Sequence, residues 1–144
     1  EKSKVYCDDS SNALEFVPAS RSCTSLAGQN RCWFTYTPAQ DEQETVPLVL
    51  DLHGYTGCAQ WNPGYTGWKE KASEDNFYVI WPQGTNNSAF SSVPCWNAGS
   101  CCCFSTRNIP DSDFLKEIID ETIEASNGKI DRKRVYLAGH SNGC

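Results

Sequence analysis

The stretch from residue 134 to the end of the chain constrains the fold most strongly. Residues 134–138 combine β-branched, aromatic and aliphatic side chains in a short run that ends at Gly139, which predicts a β-strand. Gly139-His140-Ser141-Asn142-Gly143 then matches G-x-S-x-G, a sharp strand-to-helix turn that projects a serine hydroxyl above a sheet. A polar surface turn is the alternative for the pentapeptide alone, but the strand before it favours a nucleophilic serine.

Strands and helices are predicted to alternate along the chain. Near-continuous apolar runs at 46–52 and 77–81 indicate strands covered on both faces. Amphipathic patterns predict helices at 65–76 and, with the clearest periodicity, at 110–126. Together with the strand at 134–138, this order predicts an α/β fold with a doubly wound, mostly parallel sheet, and places Ser141 at a strand's carboxyl end, where such sheets carry their chemistry.

The chain is expected to divide near residue 29. Residues 1–29 have little periodicity and predict a disulfide-stapled N-terminal segment, with a short strand at 23–26. Residues 30–144 are expected to form the N-terminal part of a catalytic domain, which opens with an alternating strand at 30–37. The helix at 110–126 is expected to be capped by Asn108 or Asp111.

Nine cysteines are scattered through the sequence: Cys7, Cys23, Cys32, Cys58, Cys95, Cys101, Cys102, Cys103 and Cys144. This density suggests structural disulfides and an oxidising, extracellular compartment. No C-x-x-C pairs or suitable Cys/His spacings are present, so zinc is disfavoured, and we expect neither a metal nor a cofactor. The odd count leaves one thiol free or bonded to a partner outside this sequence.

Charge and hydropathy exclude two classes of partner. The formal net charge of −6 argues against nucleic acid, which requires a basic surface. No apolar run approaches the ~18 residues that span a membrane, so no membrane segment is expected. The sequence contains no Met, which suggests that residues preceding Glu1 have been removed.

The pair His53-Gly54 directly follows the first apolar run, at 46–52. In this position of an α/β sheet, such a turn supplies a main-chain N–H to an oxyanion hole. We therefore expect the N–H groups of Tyr55 and Asn142 to form the hole, and His53 to brace the turn rather than to act as a base. Asp51, at the polar end of the same run, is expected to make local hydrogen bonds rather than to act in catalysis.

Five motifs resemble the secreted serine esterases of the polyhydroxybutyrate depolymerase family, whose relatives include feruloyl and acetylxylan esterases. They are P-L-V-L-D-L-H-G (47–54), W-P-Q-G-T (81–85), W-N-A-G-S-C-C (96–102), Asp111 with Phe114, and R-V-Y-L-A-G-H-S-N-G (134–143). The third of these is the most specific, because it is not a general hydrolase feature. The sequence departs from the family at Pro110, where another Asp is common, and at Cys103.

The resemblance implies an α/β-hydrolase fold and ester hydrolysis outside the cell by a Ser–His–Asp mechanism, with Ser141 as nucleophile. The substrate would be a polyester or a feruloyl or acetyl ester of a plant polysaccharide. Five side chains are expected to shape its cleft: His53, Tyr55, Trp61, Trp96 and His140. An inactive, disulfide-rich carbohydrate-binding module on the same scaffold is the alternative, because the many aromatic side chains could stack on sugars.

The acid and the base of the implied triad are missing from this sequence. In an α/β-hydrolase they follow the serine along the chain, whereas only Cys144 lies beyond Gly143. We therefore expect the sheet to be incomplete, ending at the nucleophile turn, and the sequence to be the N-terminal part of a longer enzyme whose C-terminal part completes the site.

Overall fold

A computed structural model describes residue 7 and residues 19–39, 44–85, 93–103 and 106–144. Most of the predicted N-terminal segment, part of the turn after residue 39, and residues 86–92 and 104–105 of the long cysteine-containing loop lie outside the described residues. The described elements are β1 (Ser20–Leu26), β2 (Gln29–Tyr36), β3 (Val46–Leu52), α1 (Pro63–Thr66), α2 (Trp68–Asp75), β4 (Tyr78–Pro82), α3 (Asp111–Ala125), β5 (Ile130–Gly139) and a 3₁₀ turn (Ser141–Gly143).

The five strands form one sheet in the order β1-β2-β4-β3-β5. β3 pairs in parallel with β4 and with β5, as predicted for the alternating part of the chain. β1 and β2 pair antiparallel, and so do β2 and β4. The sheet is therefore mixed rather than mostly parallel, because an N-terminal hairpin extends its β4 side.

That hairpin also bears on the predicted division at residue 29. β1 and β2 are joined by Ala27 and Gly28, both with positive φ (51° and 76°). Such two-residue turns match the twist of paired strands. The division therefore separates two strands of one hairpin, and β1 is longer than the short strand expected.

Helices cover both faces of the central strands β3 and β4, as a doubly wound fold requires. On one face, α3 packs Phe114 and Ile118 against β3 and its neighbours; on the other, Ala72 of α2 joins Val79 and Trp81. Alternate residues of β3 point to opposite faces and all but Pro47 are buried, which explains its near-continuous apolar sequence.

The predicted helices are present with two differences. The helix expected at 65–76 is divided into α1 and α2 by Gly67, whose φ of 68° is left-handed. The clearest prediction, 110–126, is confirmed as α3, but Pro110 occupies the N-cap and no side chain caps it. Asp111 is instead buried in an ion pair with Arg31, with 2.7 Å between the charged atoms. The capping prediction was wrong because a long-range charge partner was not visible in the local pattern.

The cysteines form disulfides, as predicted from their number. The four pairs are Cys7–Cys58, Cys23–Cys32, Cys95–Cys103 and Cys101–Cys102. Cys144 is a free, exposed thiol. The first bridge ties the N-terminal segment to the turn that follows β3.

β5 lies at one edge of the five described strands. Two large hydrophobic side chains of this edge strand, Tyr136 and Leu137, are exposed. None of the helices in the described part of the chain is long and apolar enough to cross a bilayer.

Candidate active site

Ser141 stands on a sharp turn, the elbow (residues 139–143), at the carboxyl end of β5. Its φ is 53°, a left-handed conformation that costs a non-glycine residue energy and is held by the surrounding structure. Ser141 is exposed. Two close approaches require glycine here: a Cβ on Gly139 would lie 2.2 Å from the Gly143 carbonyl oxygen, and one on Gly143 would lie 2.4 Å from that of Leu52. The elbow therefore raises the serine above the sheet while its ends pack against the backbone.

The His53 turn (residues 53–57) lies directly beside the elbow. A Cβ on Gly54 would lie 3.4 Å from the Ser141 Cβ and 3.0 Å from His140 Nδ1. Within the described residues, the main-chain N–H groups of Tyr55 and Asn142 have no hydrogen-bond acceptor. The structure thus brings the serine and the two expected amide donors into one region.

His53 is fixed beneath this turn and is not at the surface. Its exposed fraction is 1%. Nδ1 lies 2.8 Å from the Gly54 carbonyl oxygen and donates to it, while Nε2 accepts the Gly84 N–H at 2.9 Å. Burial lowers the pKa of His53 from 6.5 to about 4, and the bond to the Gly54 carbonyl only partly opposes this shift. Both nitrogens of His53 are therefore engaged with main-chain groups, and the lowered pKa makes its imidazole a weak base, which argues against His53 as the base for Ser141.

The Asn142 side chain makes a contact that the sequence did not suggest. It is buried and pairs with the main chain of Trp96: Oδ1 accepts the Trp96 N–H at 2.7 Å, and Nδ2 donates to the Trp96 carbonyl at 3.2 Å. The Trp96 indole N–H in turn donates to the His53 carbonyl at 2.8 Å. These bonds join the elbow, the His53 turn and the 95–103 loop.

A second buried network lies at the end of β3. Asp51 Oδ2 accepts hydrogen bonds from Thr66 Oγ1 at 2.7 Å and from Trp81 Nε1 at 3.0 Å. The Asp51 carbonyl accepts from Asn62 Nδ2. Burial raises the pKa of the Asp51 carboxyl above its ordinary 3.8, against the effect of the two donors. The expectation of local bonds was wrong, because these partners lie 11 to 30 residues away in the chain.

The expected cleft residues separate into two groups. Tyr55 and Trp61 are 44% and 50% exposed, and His140 is exposed as well, so all three are available to a ligand. His53 and Trp96 are 1% and 3% exposed and do not line an open cleft. Their part in the cleft prediction is corrected: both support the site from below, because their polar atoms are occupied by main-chain partners.

The described residues offer no metal site. They contain no group of three or more His, Cys, Asp or Glu side chains placed to hold an ion.

Three relatives are named as esterases. The chain is 28% identical over 116 residues to a bifunctional acetylxylan esterase/xylanase of Neocallimastix patriciarum, covering 81% of the chain and 15% of the relative. It is 28% identical over 112 residues to acetylxylan esterase A of Emericella nidulans, covering 78% of the chain and 34% of the relative. It is 31% identical over 101 residues to feruloyl esterase B of Piromyces equi, covering 69% and 17%. The chain thus spans about a third or less of these relatives' length. No protein-family model matches it.

Two solved structures of hydrolases share the architecture. An acetyl xylan esterase from Aspergillus awamori superposes with a TM-score of 0.57 at 21% identity, covering 86% of this chain and 43% of that one. An S-formylglutathione hydrolase from Agrobacterium tumefaciens superposes with a TM-score of 0.62 at 17% identity, covering 87% of this chain and 49% of that one. The chain shares the fold of these hydrolases over the part that it covers. At these identities the likeness establishes the fold alone.

Proposed function

We propose that this chain belongs to a secreted serine esterase that hydrolyses carboxylic esters through an acyl-enzyme on Ser141. The observation that carries the proposal is the exposed Ser141, held at a φ of 53° beside the His53 turn. The acetylxylan and feruloyl esterases among its relatives support the reaction class. No relative reported above favours the alternative of an inactive binding module.

In the proposed reaction, Ser141 Oγ attacks the ester carbonyl carbon and loses its proton to a base. The carbonyl oxygen then carries negative charge, which the main-chain N–H groups of Tyr55 and Asn142 would stabilise; one such donor contributes roughly 3 kcal/mol in comparable sites. Collapse of this intermediate expels the alcohol, which takes up the proton. Water then attacks the acyl-enzyme by the same route and releases the acid.

The base is proposed to lie outside this sequence. Both nitrogens of His53 are engaged with main-chain groups, and His140 immediately precedes the proposed nucleophile in a tight turn. Ser141 without a base is a weak nucleophile. We propose that an Asp or Glu and then a His follow in the protein's further sequence, in the chain order of the fold.

The proposed substrates are esters at the surface of a polymer: acetyl or feruloyl groups on plant polysaccharide, or a polyhydroxyalkanoate polyester. Tyr55, Trp61 and His140 are exposed side chains in or close in sequence to the His53 turn and the elbow, and would form the cleft. Four disulfides support an extracellular location.

The proposal is tested on the protein expressed from its complete coding sequence. A fluorophosphonate should label Ser141, identified by mass spectrometry, and Ser141→Ala should abolish labelling and lower kcat by about 10⁵-fold or more. Ser112→Ala, an exposed serine on α3, is the matched control and should keep full activity. Undiminished ester hydrolysis by a folded Ser141→Ala protein would refute the proposal. A panel of acetyl, feruloyl and hydroxybutyrate esters then separates the substrates.

A further inference from the structure

The elbow and the His53 turn are linked by more than the strand ladder. The ladder between β5 and β3 continues only to the His140 N–H, which donates to the Leu52 carbonyl at 3.2 Å. Ser141 and Tyr55 both lie beyond that bond. In the described part of the chain, a hydrogen-bonded path that connects them runs through a third segment, the 95–103 loop.

Asn142 begins this path with two bonds from one side chain. Its amide group pairs with both the N–H and the carbonyl of Trp96, and it is 2% exposed. Buried hydrogen bonds of this kind fix both position and rotation, because losing either leaves a polar group unpaired. The side chain thus sets where Trp96 lies relative to the elbow.

Trp96 continues the path to the His53 turn. Its indole N–H donates to the His53 carbonyl at 2.8 Å, and the two rings lie 5.2 Å apart. That carbonyl is joined by one peptide bond to Gly54, the residue before Tyr55. Moving Trp96 would therefore move the turn that carries the Tyr55 N–H.

The loop that carries Trp96 is itself anchored. The Asn97 N–H donates to Asp111 Oδ2 at 2.6 Å, and Asp111 is paired with buried Arg31 of β2. The Cys95–Cys103 disulfide closes the loop. Trp96 is thus held against α3 and β2, which makes it a fixed reference for the elbow and the turn.

We propose that Asn142 is a positioning residue, whose side-chain amide, through the Trp96 main chain and indole, fixes the distance between the elbow and the His53 turn. The proposal rests on the proposed function, since it assigns the side chain of Asn142 a task in addition to that of its N–H. The two tasks are separable: every substitution at 142 other than proline keeps the main-chain N–H.

The test measures kcat and KM for Asn142→Ala and Trp96→Phe in the complete protein. Asn142→Ala removes both bonds to Trp96, whereas Trp96→Phe keeps an aromatic ring and the main-chain bonds to Asn142 and removes the bond to His53. Because small misplacements of reacting groups are costly, kcat should fall about tenfold to a hundredfold in each, with KM changed by less than about threefold. Fluorophosphonate labelling of Ser141 should slow in parallel.

The double variant gives the deciding result. If one path joins the residues, Asn142→Ala with Trp96→Phe should lower kcat hardly more than the stronger single change. Asn108→Ala and Trp68→Phe are the matched controls, an exposed amide and a tryptophan on the opposite face. Each control should keep wild-type kcat. Combined with Asn142→Ala, neither should change the loss of kcat that Asn142→Ala causes alone.

Other outcomes overturn the inference. Wild-type kcat in folded Asn142→Ala and Trp96→Phe proteins would remove the positioning role while leaving the esterase proposal intact, provided that Ser141→Ala is inactive. If the fold-loss in kcat of the double variant equalled the product of the two single losses, Asn142 and Trp96 would act separately. If Asn142→Ala fails to fold, Asn142→Asp takes its place, since it keeps the acceptor of the Trp96 N–H and loses the donor to the Trp96 carbonyl; kcat should again fall, and thermal unfolding checks integrity.

Discussion

Asp51 and His53 lie two residues apart at the end of β3, and burial acts on them in opposite directions. It raises the pKa of the Asp51 carboxyl and lowers the pKa of the His53 imidazole, in both cases by disfavouring the charged form. Asp51 joins β3 to α1 and β4 through Thr66 and Trp81. His53 joins the end of β3 to Gly84 and to Trp96, beside the elbow. The comparison shows that one strand end supports the site with two networks that respond differently to pH.

The largest effect is expected at the elbow beside the His53 network. Gly139→Ala places a Cβ 2.2 Å from a main-chain oxygen, where only backbone movement can relieve the clash. We expect a loss of at least about 3 kcal/mol in the free energy of unfolding and more than about a hundredfold in activity. Gly64→Ala on the Asp51 side meets nothing within 4 Å and should be neutral or slightly stabilising. Urea unfolding and ester hydrolysis measure both, and a mild Gly139→Ala would contradict the packed elbow.

Acid is expected to weaken the His53 network. Since the folded pKa of about 4 lies below the unfolded 6.5, the stability that His53 contributes is complete above pH 6.5 and is lost as the pH falls through about 4. The full loss is about 3 kcal/mol. Urea midpoints across this range should show the decline in the wild type. In His53→Gln, the free energy of unfolding should decline less as the pH falls through this range. A decline as large as that of the wild type would show that His53 does not cause it.

Removing the Asp51 carboxyl should have a somewhat smaller effect. Asp51→Ala leaves the fully buried Trp81 indole N–H without its acceptor, at a cost of about 2 kcal/mol in the free energy of unfolding. Asp51→Asn retains an acceptor oxygen and should cost less than about 1 kcal/mol. Equal losses in the two variants would mean that the charge, and not the hydrogen bonds, matters.

The smallest effect is the pH dependence of the Asp51 network, opposite in sign to that of His53. Because the folded pKa lies above 3.8, the stability linked to Asp51 is greatest below that pH and declines as the pH rises through the folded pKa. The difference in unfolding free energy between the wild type and Asp51→Asn should therefore shift against the wild type as the pH rises from about 3.8. A difference that moves in the other direction would show that the carboxyl is stabilised in its ionised form.

Much of the fold followed from local patterns in the sequence. The strand Val46–Leu52 was predicted to the residue, since an apolar run of that length must be covered on both faces. α3 followed from its apolar face, and the elbow from two glycines around a serine. The antiparallel half of the sheet was not predicted, because strand order depends on pairings between distant segments.

The sequence by itself determined which residue could be a nucleophile and which segments could be strands or helices. These properties depend on neighbours within a few residues: periodicity, the conformational freedom of glycine and the polarity of a run. Only the tertiary structure decided what supports the proposed nucleophile. Asn142 meets Trp96 across 46 residues, Asp51 meets Trp81 across 30, and Arg31 meets Asp111 across 80. A buried polar group takes whichever partner the fold brings within reach, because leaving it unpaired costs more than the choice of partner.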